Sequence, residues 1–242
     1  MNLPLSPPAP PIKVAKNPID RVVRGLVLWL AVILFRLLPE RRLPGKRLLS
    51  LFRYGWGNVT YSAGTSYLEY SVKLFSRKEG EVLECGSGLT TVVLGLLAEK
   101  TGREIHSLEH DSSWWKLVRR RLSSLKIKSV KLHLYPLADR GSYHWYDWVA
   151  TDLPDSFKLI LCDGPPGETL GGRRGLLYEM NNRLAEGSII MVDDAERSDE
   201  MEMLNEWLQS REFIISLQQE TDLDKQFAIL TLGKFKAVPL GQ

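Results

Sequence analysis

Cysteine is scarce in this chain, with two in 242 residues, Cys85 and Cys162, and no paired-cysteine spacing. That excludes a disulfide framework and the usual structural zinc sites, and it suits reduced thiols in a cytoplasmic setting. No small-residue cleavage site follows the N-terminal apolar run, which makes a cleaved signal peptide the weakest reading of that run. No internal repeat is visible. Charge of either sign is missing from residues 1–12, and acid is nearly missing from the segment after them. From Lys13 to Arg53 there are ten Lys/Arg against only Asp20 and Glu40. The net charge of +3 therefore divides into +8 in that segment and −5 in the rest. A mildly acidic main body lacks the basic footprint of a nucleic-acid binder, whereas the basic arm suits an anionic surface.

Prolines crowd the start, with six of the thirteen in residues 1–18, which reads as a disordered or polyproline-like tail over 1–17. Asn17-Pro18 then makes a helix start, a capping side chain before proline at the first helical position. The segment 18–38 is apolar without a break from Leu26 to Phe35. A helix of that length, at about 1.5 Å per residue, is about 31 Å long, barely a bilayer core. Arg21, Arg24 and Arg36 lie within it and are tolerable only near its ends. Two readings stand: a membrane-embedded or interfacial anchor, or a helix packed on protein. The lack of a wet face on the central run favours the membrane. Residues 39–59, "PERRLPGKR…", read as a basic linker that could meet anionic lipid, so that residues 18–47 form the membrane-facing part. Charge flanks place the remainder on the cytoplasmic side.

Residues 60–242 read as one α/β domain. Strand-like runs fall at 81–85, 103–109, 129–135, 157–162, 187–193, 211–218 and 225–232, and helical runs at 66–76, 90–100, 112–124, 172–184 and 198–210. Alternation of this kind predicts a doubly wound, mostly parallel seven-stranded sheet. The short "QETDLD" between the last two runs predicts a hairpin, and so an antiparallel last strand.

The first strand–turn–helix unit carries "EVLECGSGLTT", residues 81–91. Gly86 and Gly88 permit a tight turn and close approach of a ligand. A dinucleotide fingerprint wants a third glycine where Thr91 stands, and the Glu84 carboxylate would repel phosphate there. The second strand ends in Glu109, placed to accept from two ribose hydroxyls. Two acidic tips on consecutive strands describe a site for a nucleoside that carries positive charge and no phosphate.

Glu84-Cys-Gly-Ser-Gly88, the Glu109 strand end, Asp163-Gly-Pro-Pro-Gly167 and the Asp193-Asp194 strand end together resemble the class I S-adenosylmethionine-dependent methyltransferases, over roughly residues 60–232. The resemblance implies a Rossmann-like methyltransferase fold, S-adenosyl-L-methionine as cofactor, and cofactor contacts from Glu84, Gly86, Ser87, Gly88, Thr90, Glu109, His110 and Asp163. By the same resemblance Leu137-Ala138-Asp139 lies near the adenine, Ala138 in particular, and Thr65 and Ser66 lie near the methionine end. The carboxylates Asp163, Asp193 and Asp194 are the catalytic candidates. Their pattern is similar to the metal-dependent catechol O-methyltransferase branch, with Asp194 in place of an Asn, and two readings stay open. Either the three hold Mg2+, which polarises a substrate hydroxyl, or Asp163 and Asp193 serve the loops structurally. Arg173, Arg174 and Arg197 read as an acid clamp or as solvated helix-end charges. His144 reads as a base or as part of an aromatic surface loop, and Cys85 and Cys162 read as buried thiols.

Enzymes that methylate nucleobase amines carry Asp/Asn-Pro-Pro-aromatic after the fourth strand, whereas a glycine is inserted here and Gly167 replaces the aromatic. This favours O-methylation of a small molecule, a sugar or a lipid-linked acceptor, and not nucleic acid. The rival readings are an NAD(P)-dependent oxidoreductase on a similar sheet and a non-catalytic binding module that keeps the fold.

Overall fold

The structure, a computed structural model, describes residues 17–57, 62–210, 213–220 and 225–233. Apart from Asn17, the expected tail 1–17 lies outside these residues. So do the first two residues of the strand run at 211–218 and most of the connection after it.

The elements follow in order: α1 (Pro18–Leu37), α2 (Lys46–Trp56), α3 (Thr65–Arg77), β1 (Val82–Cys85), α4 (Leu89–Thr101), β2 (Ile105–Glu109), α5 (Ser112–Ser124), β3 (Val130–Leu134), β4 (Leu137–Asp139), β5 (His144–Tyr146), β6 (Phe157–Cys162), α6 (Gly175–Met180), β7 (Leu184–Val192), α7 (Ser198–Ser210), β8 (Phe213–Gln219) and β9 (Gln226–Leu232). Seven strands form one sheet in the order β3-β2-β1-β6-β7-β9-β8. All neighbours up to β7 pair in parallel, and β9 runs antiparallel between β7 and β8. The strand order reverses beside β1, which puts the switch point between β1 and β6, outside their carboxyl ends.

The central strands are apolar because both faces are covered: every residue of β1 and β2 is buried. One core, on the side of α1 to α5, takes Val82, Ile105, Leu159, Leu161 and Met191 from the sheet. The other takes Leu83, Cys85, Leu108, Ile160 and Val192, and closes against α6, α7 and the small β4–β5 hairpin.

Helix α4 is buried all the way from Leu89 to Ala98. That is possible because α1 and α2 form a further layer over it and α3, so an all-round apolar helix needs no solvent face. Here the structure departs from two expectations. The segment 39–59 is not a linker throughout: Lys46–Trp56 forms α2, whose Leu49, Phe52 and Trp56 join the core. The helix expected at 18–38 exists as α1, with Asn17 Oδ1 accepting from the Ile19 amide at 2.9 Å. It packs Leu28, Ala31, Val32 and Phe35 against α2, so this side of the apolar run is covered by protein. Among the described residues no helix is long and apolar enough to cross a membrane. Gly55 permits the close approach of α1 and α2, since a Cβ there would lie 2.6 Å from the Leu28 backbone nitrogen.

Two smaller differences have local causes. The helix expected at 172–184 is only α6, because Gly171 and Gly172 adopt positive φ (72° and 52°) and delay its start. The β4–β5 hairpin is too short to show a period-2 pattern, with three residues in each strand.

Candidate active site

The carboxyl ends of β1, β2, β6 and β7 converge, tied by backbone bonds that continue the ladder past the strands. The Gly86 amide donates to Leu108 O at 3.0 Å, Asp163 N to Cys85 O at 2.9 Å, and Asp193 N to Cys162 O at 3.1 Å. Gly86 has φ +88°, and a Cβ there would sit 2.9 Å from the Gly164 amide nitrogen, so the turn after β1 must be glycine.

Glu84, the third residue of β1, is 1% exposed. Its Oε2 accepts from Thr91 Oγ1 and from Ser107 Oγ, both at 2.6 Å. Its Oε1 is buried with no partner. Burial, joined by the nearby Glu109, pushes its pKa up to about 7 against the two hydroxyl bonds. The Gly88 amide donates to Thr91 Oγ1 at 2.7 Å, so Thr91 caps α4 and at the same time orients Glu84. Sequence reasoning used Thr91 only as an absent glycine. A threonine at the third helical position, seven residues after the strand glutamate and across a glycine loop, was the signal for this second role.

Glu109 lies at the tip of β2. Its Oε2 accepts from Ser87 N (3.2 Å) and Ser87 Oγ (2.7 Å), and its Oε1 from His110 N (2.8 Å) and Asp111 N (2.9 Å). The carboxylate is thus saturated from within, and ribose hydroxyls would have to displace the Ser87 hydroxyl, the one donor there that can rotate away. Trp114 Nε1 donates to Ser87 O at 2.7 Å, so the 86–88 loop is held between Glu109 and α5. Thr90, at 7% exposure, faces inward on the first turn of α4. His110 keeps its Nδ1 3.2 Å from Glu109 Oε1 and sets its ring against Tyr146.

Ala138 lies in β4, opposite Trp145 of β5 in the antiparallel register. The hairpin's contribution to the site is Tyr146, whose hydroxyl is buried without a partner and sits where a Cβ on Gly164 would be 2.7 Å away. Burial and the neighbouring Cys85 and Glu109 push the Tyr146 pKa well up. His144 instead faces Asp139 across the hairpin, Nε2 to Oδ1 3.9 Å, away from the carboxylates that its base role required. Cys85 and Cys162 are register partners on β1 and β6, both fully buried and unbridged.

Thr65 and Ser66 begin α3. The amides of Ser66 and Tyr67 donate to the two oxygens of Glu220, at 2.6 and 2.9 Å, so this helix start already has a protein anion as its cap. Tyr67 reaches the carboxylates: burial first, then the charges of Asp193 and Asp163, push its pKa well above ordinary, and its hydroxyl has no partner.

Asp163, Asp193 and Asp194 do come together, offering oxygens within 4.8 Å of one another. Into them projects Arg173, 1% exposed. Its Nη2 donates to Asp163 O (3.1 Å), Asp163 Oδ1 (3.5 Å) and Asp194 Oδ2 (3.3 Å), and its Nη1 donates to Asp193 O. Asp194 also pairs with Arg197 at 2.8 Å and Lys225 at 2.7 Å. Burial works to raise the Asp194 pKa, but Arg173, Lys225 and Arg197 outweigh it and hold the carboxylate below the usual range. Burial and its neighbour Asp193 push Asp163 well up, and burial with Asp194 raises Asp193 to about 6. Arg174, by contrast, turns outward to Glu202 and Glu206 on α7.

A divalent ion does not fit this arrangement. Mg2+ wants an octahedron of oxygens, most of them from water and carboxylate. Here a guanidinium already lies between the carboxylates of Asp163 and Asp194, and two further cations, Arg197 and Lys225, hold Asp194 as well. The nucleoside cofactor does fit: Glu84 Oε1, Tyr67 Oη and Tyr146 Oη are buried, unpartnered polar atoms around the strand tips. Each is costly to leave unpaired, about 1–3 kcal/mol, and a ligand with amine and hydroxyl groups supplies what they lack.

No protein-family model matches the chain, and no curated protein matches it. Solved structures do match its fold. An SAH-bound methyltransferase from Podospora anserina superposes with a TM-score of 0.58 at 14% identity, over 93% of this chain and 100% of that one. An O-methyltransferase from Bacillus cereus in complex with SAH gives 0.56 at 10%, over 85% and 99%. A precorrin-6y C5,15-methyltransferase from Geobacter metallireducens gives 0.51 at 16%, over 72% and 91%. The chain is thereby similar in architecture to S-adenosylmethionine-dependent methyltransferases of differing acceptors, and its fold is theirs.

Proposed function

We propose that this protein is an S-adenosylmethionine-dependent methyltransferase that acts, without a metal, on an oxygen of a small-molecule, sugar or lipid-linked acceptor. The observation that carries the reading is Glu84: a buried carboxylate with one oxygen unpartnered, beside a glycine turn at the switch point. Phosphate is repelled there and an ammonium or sulfonium is welcomed, which counts against the nicotinamide alternative. When bound, S-adenosylmethionine supplies a methyl group already activated on a positive sulfur.

The chain's own residues have five tasks. Gly86 to Gly88, Glu109 and Tyr146 line the nucleoside's place, and Glu84 balances its positive charge. The Asp163–Asp193 pair takes the hydroxyl proton of the acceptor. Both carboxyls hold protons more readily than free ones, so a single proton added to the pair is well tolerated. Arg173 fixes both residues through their backbone carbonyls and so sets the pair's geometry. Tyr67 and Tyr146 exclude water from the space between.

Calorimetry with S-adenosylhomocysteine and with NAD tests the cofactor: binding of the former alone is expected, and binding of NAD alone would overturn the assignment. Transfer of labelled methyl from S-adenosylmethionine into a cell extract, with and without EDTA, tests the rest. Equal incorporation in both is expected, and loss with EDTA sinks the metal-free site.

A further inference from the structure

Helix α1 has two apolar faces. Leu28, Ala31, Val32 and Phe35 point inward on α2. On the opposite side Ile19, Val22, Leu26, Trp29, Leu30 and Leu37 are all exposed, Leu26 at 61% and Trp29 at 58%. Placed at 3.6 residues per turn, this outer stripe spans about 100° of the helix and runs its full length, about 30 Å. Half of the large apolar residues left exposed among the described residues lie on this one helix. Single exposed apolar residues need no account, but a continuous stripe of this kind does.

The charges around the stripe say what it meets. Between residues 17 and 57 there are eight Lys/Arg and only two acids. Asp20 is consumed by Arg24 at 2.8 Å. Arg41, Arg42 and Arg47 are exposed just past the end of α1 and have no acidic partner among the described residues. A second copy of the chain would bring like charge to like charge. A lipid surface carrying anionic headgroups brings the opposite sign to the arginines and an apolar boundary to the stripe. We infer that α1 lies flat on an anionic phospholipid surface through its Ile19–Leu37 stripe, with Arg41, Arg42 and Arg47 on the headgroups.

The position of the helix adds a consequence. Its N-terminal half is tied to the C-terminal end of α2 by Arg24 Nη1, which donates to Tyr54 O at 3.1 Å. Trp56 of α2 packs edge-on to Trp114, which in turn holds Ser87 of the candidate site. The first turns of α1 are therefore on the side of the domain where the strand tips open, whereas its last turn is tied to the far end of α4 by Lys100 Nζ, which donates to Leu38 O at 2.6 Å, so a helix lying flat sets the opening beside the lipid surface.

The test is co-sedimentation of the full-length protein with vesicles of phosphatidylcholine alone and of phosphatidylcholine with about one-third phosphatidylglycerol. Binding to the anionic vesicles only, at least tenfold weaker in about 0.5 M than in about 0.1 M salt, is expected. Leu26→Ser combined with Leu30→Ser should abolish it, as should charge reversal at Arg41, Arg42 and Arg47 together, with circular dichroism and S-adenosylhomocysteine binding kept in both. A blue shift of tryptophan emission on binding should vanish in Trp29→Phe. Equal sedimentation of the wild type and the serine variant refutes the inference. So does a wild-type dimer in sedimentation velocity that the serine variant lacks, with no vesicle binding by either.

Discussion

Arg173→Met removes a deeply buried charge while keeping most of its volume. The guanidinium is 1% exposed and donates to two carbonyls and two carboxylates. Deleting one partner of a buried ion pair typically costs about 3–5 kcal/mol, because the charge left behind is uncompensated. The discount here is that Asp194 keeps Arg197 and Lys225, so its charge is not orphaned. The addition is that Asp163 O and Asp193 O each lose a donor, at about 1–3 kcal/mol if no water replaces it. The two corrections roughly offset, and a loss of about 4 kcal/mol follows. For a chain of this size that corresponds to a fall in Tm of about 8–16 °C. Urea denaturation followed by circular dichroism, with cofactor-product binding measured in parallel, reads the effect. Asp163→Asn in the Arg173→Met background should recover about 1–3 kcal/mol, since it removes one of the charges the arginine had offset. A single variant as stable as the wild type refutes the electrostatic account. So does stoichiometric Mn2+ binding by the wild type in electron paramagnetic resonance, because the cation position would then belong to a metal.

Two other perturbations follow from the same structure. Glu84 has its pKa raised to about 7, so the group favours the folded state below the ordinary carboxylate range and that contribution is lost as pH rises through about 7. A cationic ligand prefers the ionised form, so S-adenosylmethionine affinity should rise from pH 6 to pH 8 with release of a proton; calorimetry in two buffers of different ionisation heat measures it, and Glu84→Gln should flatten the profile. Gly55→Ala puts a methyl 2.6 Å from the Leu28 backbone nitrogen and should destabilise the α1–α2 pair by about 1–3 kcal/mol, read as a lower midpoint in urea.

The sheet was legible because parallel strands buried on both faces leave apolar runs of fixed length, and because the short connection before β9 allows only a hairpin return. The tips were legible as residue types: Glu84, Glu109, Asp163, Asp193 and Asp194 all stand at the strand ends where the runs stop. What the sequence did not disclose is who answers those charges. Arg173 is ten residues from Asp163 and twenty from Asp193, and no local pattern separates it from Arg174 beside it, which points the other way to α7. Glu220, cap of α3, arrives from the far edge of the sheet, more than 150 residues along the chain. Helix α2 was missed for a different reason. Its basic residues are many, and the periodicity of Leu49, Phe52 and Trp56 beneath them signals one buried face that the charge count obscured.

Asp194 and Arg173 are best understood together. The third carboxylate departs from the Asp-Asn pair of the metal-dependent branch, and a lone acidic replacement would add repulsion to a site that already holds Asp163 and Asp193. Its backbone is also unusual, at φ 54°, a conformation that Asp tolerates better than most residues. From that position its oxygens meet Arg173, Arg197 and Lys225, so Asp194 stays charged while its two neighbours are pushed toward their protonated forms. In the methyl transfer proposed above, an uncovered arginine beside the reacting carbon would oppose the approach of a sulfonium cofactor. Asp194 covers it. The buried cation at this site thus has its own counter-ion, and Asp194, which stands where the resembled metal-dependent branch has an Asn, is the residue that offsets the Arg173 charge.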